Sequence, residues 1–293
     1  MLMIERWERF IDRIRYFFKE RKYIEVTTPI LRRFPNLDSN VEPIELVVET
    51  QGEKARYWLH TSPEYAMKKL FSKYKKDIFQ ITKVFRNKEA GSLNSAEFTM
   101  LEWYKKEVDY KYLIAEIKDL LRQFGYEEFE EITVEEAFER YADVILSEDE
   151  DIFKNNLITA GYEFDEEEDW ETIFYRIYVE IERFLGKEKP TFLINFPSRI
   201  NTLAKIRNGF TERFELYING VEIGNGWTEE TDIEEVKKRL ETESLKRNLP
   251  IDKEFLECHK DIPDCAGCSL GLERLFIVLE GMDSIHKIEF MRV

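Results

Sequence analysis

Glu102 and Tyr104 stand two residues apart at the end of the stretch FQITKVFRNKEAGSLNSAEFTMLEWY, residues 79–104. Side chains alternate faces along a strand, so a strand here sets a carboxylate and a phenol side by side. That pair suits an ammonium group. Arg86 closes the preceding apolar run, and its planar cationic fork suits a phosphate or a carboxylate. Glu64 and Glu229 are further carboxylates that would complete an anionic pocket, because a desolvated ammonium needs several acceptors and opposite charge. The same three glutamates also fit the description of unrelated acidic residues on an acidic chain.

Two other segments carry groups suited to phosphate. Arg274 falls in the first turn of a helix that follows Gly271, a residue that lets backbone approach a ligand closely. Alone, each arginine is an ordinary surface ion-pair partner. Glu222 and Asn225 lie in VEIGNG, with glycines at 220, 224 and 226. Glycine weakens a strand as structure, which favours close ligand approach. A carboxylate beside phosphates is the usual way to hold Mg2+. Cys258, His259, Cys265 and Cys268 offer four potential zinc ligands, but with one C-x-x-C and no second paired knuckle they read better as thiols near the site. With three histidines in the chain, no Ser-His-Asp arrangement is visible.

These groups need elements to hold them. Residues 4–18 carry apolar side chains at helical spacing and predict a helix ending near Lys22. YIEVTTPILRR predicts an edge strand closed by Pro29. Strands are expected at 44–50 and 57–59 around a Gln51-Gly52 turn. Residues 61–74 predict a helix with Ser62 as cap, Pro63 at the first helical position and Glu64 in the first turn. The 79–104 stretch reads as a hairpin. Helices follow at 110–124 and 134–141, then a helical, acidic region over 147–185 with the run 165–169 as a solvated loop. Strands return at 191–196, 203–206 and 213–218. Asn219-Gly220 marks a hairpin turn into a return strand over 221–225. A helix over 231–248 and a small-residue strand running into a helix close the chain. This mixture predicts an α+β fold, a mostly antiparallel sheet flanked by helices.

Composition narrows the classes. The chain has 293 residues, 43% hydrophobic content and a formal net charge of −16. So acidic a chain disfavours broad nucleic-acid binding, which relies on Lys and Arg. Three cysteines do not make a disulfide scaffold and fit a reducing compartment. The charged N-terminus lacks a signal peptide's apolar core, and no run approaches the roughly 20 apolar residues that span a bilayer. A soluble cytoplasmic protein without membrane association is expected.

The segments together resemble the class II aminoacyl-tRNA synthetase catalytic domain of the lysine type. The first helix with EVTTP resembles its motif 1, VFRN…EFTMLEWY its motif 2 and SLGLERL its motif 3; RFELYINGVEIGNGWTEETD resembles the lysyl enzyme's metal and ammonium segment. TSPEYAMKKL, EFTMLEWY, GKEKPTFLINFP and IPDCAG make the resemblance closer to the elongation factor P lysine ligases, truncated lysyl-tRNA synthetase paralogs. The likeness runs almost from end to end, with the motifs in order. It implies one catalytic domain over 1–293 with a helical insertion at about 110–187, no anticodon-binding domain, a homodimer through motif 1, and no tRNA partner.

The resemblance also implies roles. Ser62, Pro63 and Glu64 would line the amino-acid site. Glu102, Tyr104 and Glu229 would take the side-chain ammonium and nearby groups, with Asn225 also touching substrate. Arg86 and Arg274 would be the catalytic arginines. ATP would meet Arg86, Asn87, Lys88, Ser95, Glu222, Ile223, Gly271 and Arg274, and Glu222 with Asn225 would bind Mg2+. The chain departs from the family at Lys88, where Glu is usual, and at Asn94-Ser95, where His-Asn is usual; Glu89 is a nearby acid that would substitute. Ser269 stands where the ligases have Ala and the synthetases Gly, which leaves α-lysine or β-lysine open, and Gly224 follows the synthetase pattern. The implied activity is ATP-dependent activation of lysine or β-lysine as an adenylate and its transfer to a lysine of elongation factor P. The alternatives are a class II paralog with another acceptor and a non-catalytic paralog that binds amino acid or a partner.

Overall fold

The computed structural model describes residues 1–165, 167–200 and 203–291. The chain divides into two compact units, Met1–Asp109 with Thr228–Val293, and Tyr110–Trp227.

The first unit opens with α1 (Met3–Glu20), whose Phe10, Ile14, Phe17 and Phe18 are buried, as the helical spacing requires. Phe18 stacks on Phe79 and packs edge-on against Trp103, so the helix seals one face of the sheet beneath it. Arg21 caps α1 and Lys22 turns the chain at φ +64°. The expected edge strand through Pro29 is two short pieces, β1 (Ile24–Glu25) and β2 (Leu31–Arg32), in different sheets. Proline cannot donate to a ladder, so pairing lapses around it. β3 (Ile44–Thr50) and β4 (Glu53–Leu59) form a hairpin through Gln51 and Gly52, both at positive φ. α2 (Glu64–Tyr74) begins one residue later than expected, with Pro63 as its N-cap. β5 (Ile78–Phe85) and β6 (Glu97–Lys106) are the expected hairpin, paired from Ile78–Tyr104 to Phe85–Glu97.

The second unit holds α3 (Tyr110–Arg122), β7 (Glu130–Thr133), α4 (Val134–Ala142), α5 (Glu150–Thr159), α6 (Trp170–Glu182), β8 (Thr191–Pro197), β9 (Ile206–Arg207), β10 (Phe210–Ile218) and most of β11 (Val221–Thr228). Its strands run in the order β11-β10-β8-β7, with β9 on β10. The 147–185 region is two helices on either side of the expected loop, each capped by an aspartate, Asp149 and Asp169. Within the loop expected at 165–169, Glu166 lies outside the described residues. Phe138, Phe153, Trp170 and Phe174 form an aromatic core against Leu193 and Phe196. Asn219 and Gly220, at φ +55° and +75°, make the hairpin turn between β10 and β11.

The chain returns to the first unit with α7 (Ile233–Arg247), the short α8 (Lys253–Cys258), β12 (Cys265–Gly271) and α9 (Leu272–Leu279). Here the strand order is β1-β5-β6-β12, antiparallel except for the β1–β5 pair. The sheets are therefore mostly antiparallel and flanked by helices, the α+β architecture expected. Among the described residues no helix is long and apolar enough to cross a membrane.

Candidate functional site

β6 places Glu102 and Tyr104 on one face, and the Tyr104 hydroxyl donates to Glu102 Oε1 at 2.7 Å. The segment before α2 supplies the other partner: Ser62 Oγ donates to Glu102 Oε2 at 2.7 Å. Ser62 Oγ also accepts the Glu64 N–H at 2.9 Å, so Ser62 caps the start of the helix although Pro63 occupies the cap position. Glu102 is 3% exposed. Burial, reinforced by the charge of Glu64, pushes its carboxyl up to about 8, against the opposing pull of Tyr104, Ser62 and Lys68.

Two of the three glutamates singled out from sequence, Glu64 and Glu229, are drawn together by a residue that was not. Lys68 lies one turn along α2 from Glu64, and its Nζ donates to Glu64 Oε1 and Glu229 Oε2 at 2.6 Å each. Lys68 is 1% exposed. Burial works to depress its pKa, but the charges of Glu229 and Glu64 outweigh this and hold it above the ordinary lysine value. Its ammonium also lies over the Tyr104 and Phe255 rings. The spacing Glu64-x-x-x-Lys68 at the start of a helix was the available signal. Gly267, opposite Tyr104 in the β6–β12 register, is a second residue sequence reasoning passed over. A Cβ there would lie 2.4 Å from the Tyr104 ring and 2.7 Å from Glu229 Oε1, so only glycine permits this packing. Ser269 faces Glu102 directly across the same pair of strands.

Arg86 follows β5. Its Nε donates to the Thr61 carbonyl at 3.4 Å, its fork lies 3.8 Å from Glu89, and its guanidinium stacks over Phe98. Thr61 Oγ1 donates in turn to Asp38 Oδ2 at 2.8 Å. Burial and the charge of Glu64 raise Asp38 to about 6, while Thr61, Arg86 and Arg247 oppose the rise. Asp38 was not foreseen; nothing in NLDSN marks it out. Asn87 accepts the Lys88 N–H at 3.0 Å, and both residues are exposed, with Lys88 at φ +62°. Arg274, in the first turn of α9 after the cap Gly271, donates Nε to the Leu93 carbonyl at 3.2 Å and also bonds the Asn94 side chain. It thus grips the loop that carries half-buried Ser95, and Asn94, a departure from the family pattern, supplies the acceptor. Glu273 beside it, buried, accepts both the N–H and the hydroxyl of Thr99 and anchors β6 to α9.

Glu222, Ile223 and Asn225 belong to the second unit. Leu216 pairs with Gly224 and Tyr217 with Glu222, so Ile223 is an extra residue, a bulge. The bulge turns Glu222 and Asn225, three residues apart, to the same face, and Asn225 Nδ2 approaches Glu222 Oε1 at 3.5 Å. Glu215, opposite Asn225, shares that face and accepts from Tyr217 at 2.7 Å and from Tyr178 and Arg213. Burial raises the Glu215 carboxyl; Arg213 opposes this and the charge of Glu222 adds to it. Two carboxylates and an amide on one face of this strand pair, with one carboxylate penalised by the other, are a donor set suited to a hard divalent cation that keeps some water and phosphate ligands.

The cysteines do not gather. Cys258 donates to the Phe255 carbonyl, with burial pushing its thiol up to about 11, and Cys265 packs among Met67, Phe71 and Tyr104. His259 is buried, with Nδ1 bound to the Phe255 carbonyl. Among the described residues no group of three or more His, Cys, Asp or Glu is placed to hold a metal.

The family described as tRNA synthetases class II (D, K and N) matches residues 2–291. A protein of Aquifex aeolicus (strain VF5) named elongation factor P--(R)-beta-lysine ligase homolog is 57% identical over the full length of both chains. Two proteins named elongation factor P--(R)-beta-lysine ligase follow: one of Avibacterium paragallinarum, 38% identical over 96% of this chain and 92% of its own, and one of Proteus mirabilis (strain HI4320), 34% identical over 96% and 91%. The chain belongs to the class II synthetase family.

Proposed function

We propose that this class II family member is an ATP-dependent ligase that activates lysine or β-lysine as an adenylate and passes it to a lysine side chain of elongation factor P. The observation that carries the reading is the buried cluster of Glu102, Tyr104 and Ser62 beside the Glu64–Lys68–Glu229 triad. A buried carboxyl held only by hydroxyl donors, beside two carboxylates that share a single ammonium, suits the side-chain ammonium of a basic amino acid. The names of the relatives supply the acceptor.

In the first step a substrate carboxylate oxygen attacks the α-phosphorus of ATP and pyrophosphate leaves. Arg86 would hold both groups and neutralise the charge that develops on the phosphoryl oxygens. Arg274, with Asn87, Lys88, Ser95, Ile223 and Gly271, would bind the nucleotide. In the second step the acceptor amine attacks the acyl carbon, AMP leaves, and the amine proton passes to solvent. Mg2+, where bound, supplies charge neutralisation at the phosphates; Glu222 with Asn225, and Glu215 beside them, would hold it. A homodimer through α1, which exposes Ile4 and Tyr16, and a cytoplasmic location belong to the same proposal.

The test is amino-acid-dependent ATP–pyrophosphate exchange, run separately with α-lysine and β-lysine, followed by mass analysis of elongation factor P after incubation with enzyme, ATP and the active amino acid. Exchange and a mass gain of one lysyl unit are expected. Folded protein that exchanges with neither amino acid would overturn the reading; exchange without transfer would point to another acceptor.

A further inference from the structure

Residues 36–42, between β2 and β3, are irregular chain apart from one bridge that pairs Glu42 with Asn87. Irregular chain usually stays at the surface, because buried backbone must find partners for its polar groups. Here Asn36 and Leu37 are only 2% and 5% exposed, and partners come from two sides. On one side is the start of α2 and the segment that leads into it. Asn36 Nδ2 donates to the Ser62 carbonyl at 3.3 Å, the Leu37 N–H donates to the Tyr65 hydroxyl at 3.1 Å, and Asp38 Oδ2 accepts from Thr61 Oγ1 at 2.8 Å. On the other side is Arg247, in the last turn of α7. Its fork bridges two carbonyls, donating to Asp38 O at 2.6 Å and to Val41 O at 2.5 Å. A planar fork on two acceptors fixes direction as well as distance.

This strap meets Arg86 at two points. The Arg86 Nε donates to the carbonyl of Thr61, the residue whose hydroxyl Asp38 holds. The next residue along the chain, Asn87, donates its N–H to the Glu42 carbonyl at 2.7 Å. The side chain of Arg86 and the backbone just beyond it are thus tied to one short segment. We propose that Asp38 and Arg247 are positioning residues for Arg86: Arg247 pins the strap, and the strap, through Asp38–Thr61 and Glu42–Asn87, aims the Arg86 guanidinium. This rests on the reading of Arg86 as the arginine that holds the substrate carboxylate and the α-phosphate. The charges of Arg86 and Arg247 both act on the Asp38 carboxyl, which agrees with an acid set near the two guanidiniums. An arginine held in advance loses less freedom when it meets its ligands, and its charge stands ready where charge develops. Neither residue stands in a strand or helix that carries the site, so their effect passes through Arg86.

Two measurements test this. The first is ATP–pyrophosphate exchange with the active amino acid in Asp38→Ala, Thr61→Val and Arg247→Met, each made in the native protein and again in an Arg86→Lys background. Thr61→Val removes the hydroxyl and keeps the carbonyl. In the native background each change should slow exchange by about 10- to 100-fold, the scale on which a group displaced by about 1 Å costs rate. In Arg86→Lys the same changes should cost less than about threefold, since the group they position is gone. Asp38→Asn keeps an oxygen that accepts from Thr61 and should recover most of the rate lost in Asp38→Ala. Equal costs in the two backgrounds would show a general structural role and overturn the inference, as would an Asp38→Asn variant no better than Asp38→Ala. The second measurement needs no turnover. The Nε–H resonance of Arg86, assigned by its loss in Arg86→Lys, should move in Asp38→Ala and in Thr61→Val and stay in place in Asp38→Asn. A resonance unmoved in the first two would overturn the inference whatever the exchange assay gives. Wild-type protein that shows the expected resonances but exchanges with neither amino acid would overturn the functional reading alone and leave the hold of the strap on Arg86 standing.

Discussion

Lys68 and Glu229 meet at 2.6 Å across 161 residues of sequence, both at most 2% exposed. This bond ties α2 to the segment that re-enters the first unit after β11. Glu229 is held from its backbone too, where its N–H donates to the Cys265 carbonyl at 2.9 Å. A contact between segments so far apart in sequence, made by a buried ion pair, sets the shape of the pocket as well as its charge.

Replacing Glu229 by Gln should therefore weaken the fold before it weakens any ligand. Removing one partner of a buried pair typically costs about 3–5 kcal/mol, because the remaining charge stays desolvated. Glu64 still faces Lys68, so the lower end of that range is expected. Lys68→Met should cost a similar amount. The double variant should lose less than the sum, with a coupling energy of about 1–3 kcal/mol. Urea unfolding of the three variants measures this; strict additivity would mean that the two residues do not interact in solution.

Gly267→Ala tests the close packing on the other side of Tyr104. The new methyl would sit 2.4 Å from the Tyr104 ring and 2.7 Å from Glu229 Oε1, and Tyr104 is buried. Overpacking of this kind costs about 1–3 kcal/mol. The ring must shift, and the Tyr104–Glu102 hydrogen bond at 2.7 Å shifts with it. Amino-acid affinity should fall together with the melting temperature. A variant of unchanged stability and affinity would show that the strand relaxes to admit the methyl.

Local signals explain which parts of this protein were legible in its sequence. The β5–β6 hairpin, the Asn219-Gly220 turn and the apolar face of α1 rest on short-range periodicity and turn chemistry, and they stand where those signals put them. The acid–phenol pair of Glu102 and Tyr104 was readable because strand alternation fixes faces within two residues. β7 and α8 were missed. β7 is four residues long and owes its existence to parallel pairing with β8, a tertiary contact without a local mark. Lys68 and Asp38 were missed for a different reason: a buried charge looks like a surface charge until its distant partners are known. The bulge at Ile223, which turns Glu222 and Asn225 to one face, is likewise a matter of register and not of composition.

Glu273 gives a test of how β6 is held. Its carboxylate accepts the Thr99 N–H at 2.7 Å and the Thr99 hydroxyl at 2.6 Å, and Lys83 lies 3.4 Å away. Hydrogen bonds to a buried charged group contribute about 1.5–3 kcal/mol, and their loss leaves a strand N–H without its acceptor. Glu273→Ala should destabilise by about 3 kcal/mol, and Glu273→Gln by less, since one amide oxygen can still accept. Hydrogen exchange at the Thr99 amide should accelerate in the alanine variant. Equal stability of the two variants would place the effect in packing and not in these bonds.

The pH dependence of stability should carry the mark of Glu102. Its folded value of about 8 lies above the roughly 4.3 of an unfolded glutamate. A group raised in this way stabilises the fold fully below the unfolded value, and the contribution is lost as pH rises through the folded one. Asp38, raised to about 6, acts in the same sense over a narrower window. His259 acts oppositely: burial and Lys68 lower it to about 4, so its contribution is present above about 6.5 and lost as pH falls toward 4. The difference in stability between the wild type and Glu102→Gln isolates the first effect, because the other two groups are common to both proteins. Between pH 5 and 8 the wild type should lose ground to the variant by about 1 kcal/mol per pH unit, the limit for one proton being about 1.4. Urea unfolding at pH 5, 6, 7 and 8 supplies the four differences. A flat difference would mean that Glu102 is already ionised at neutral pH, with Lys68 serving all three carboxylates instead of two.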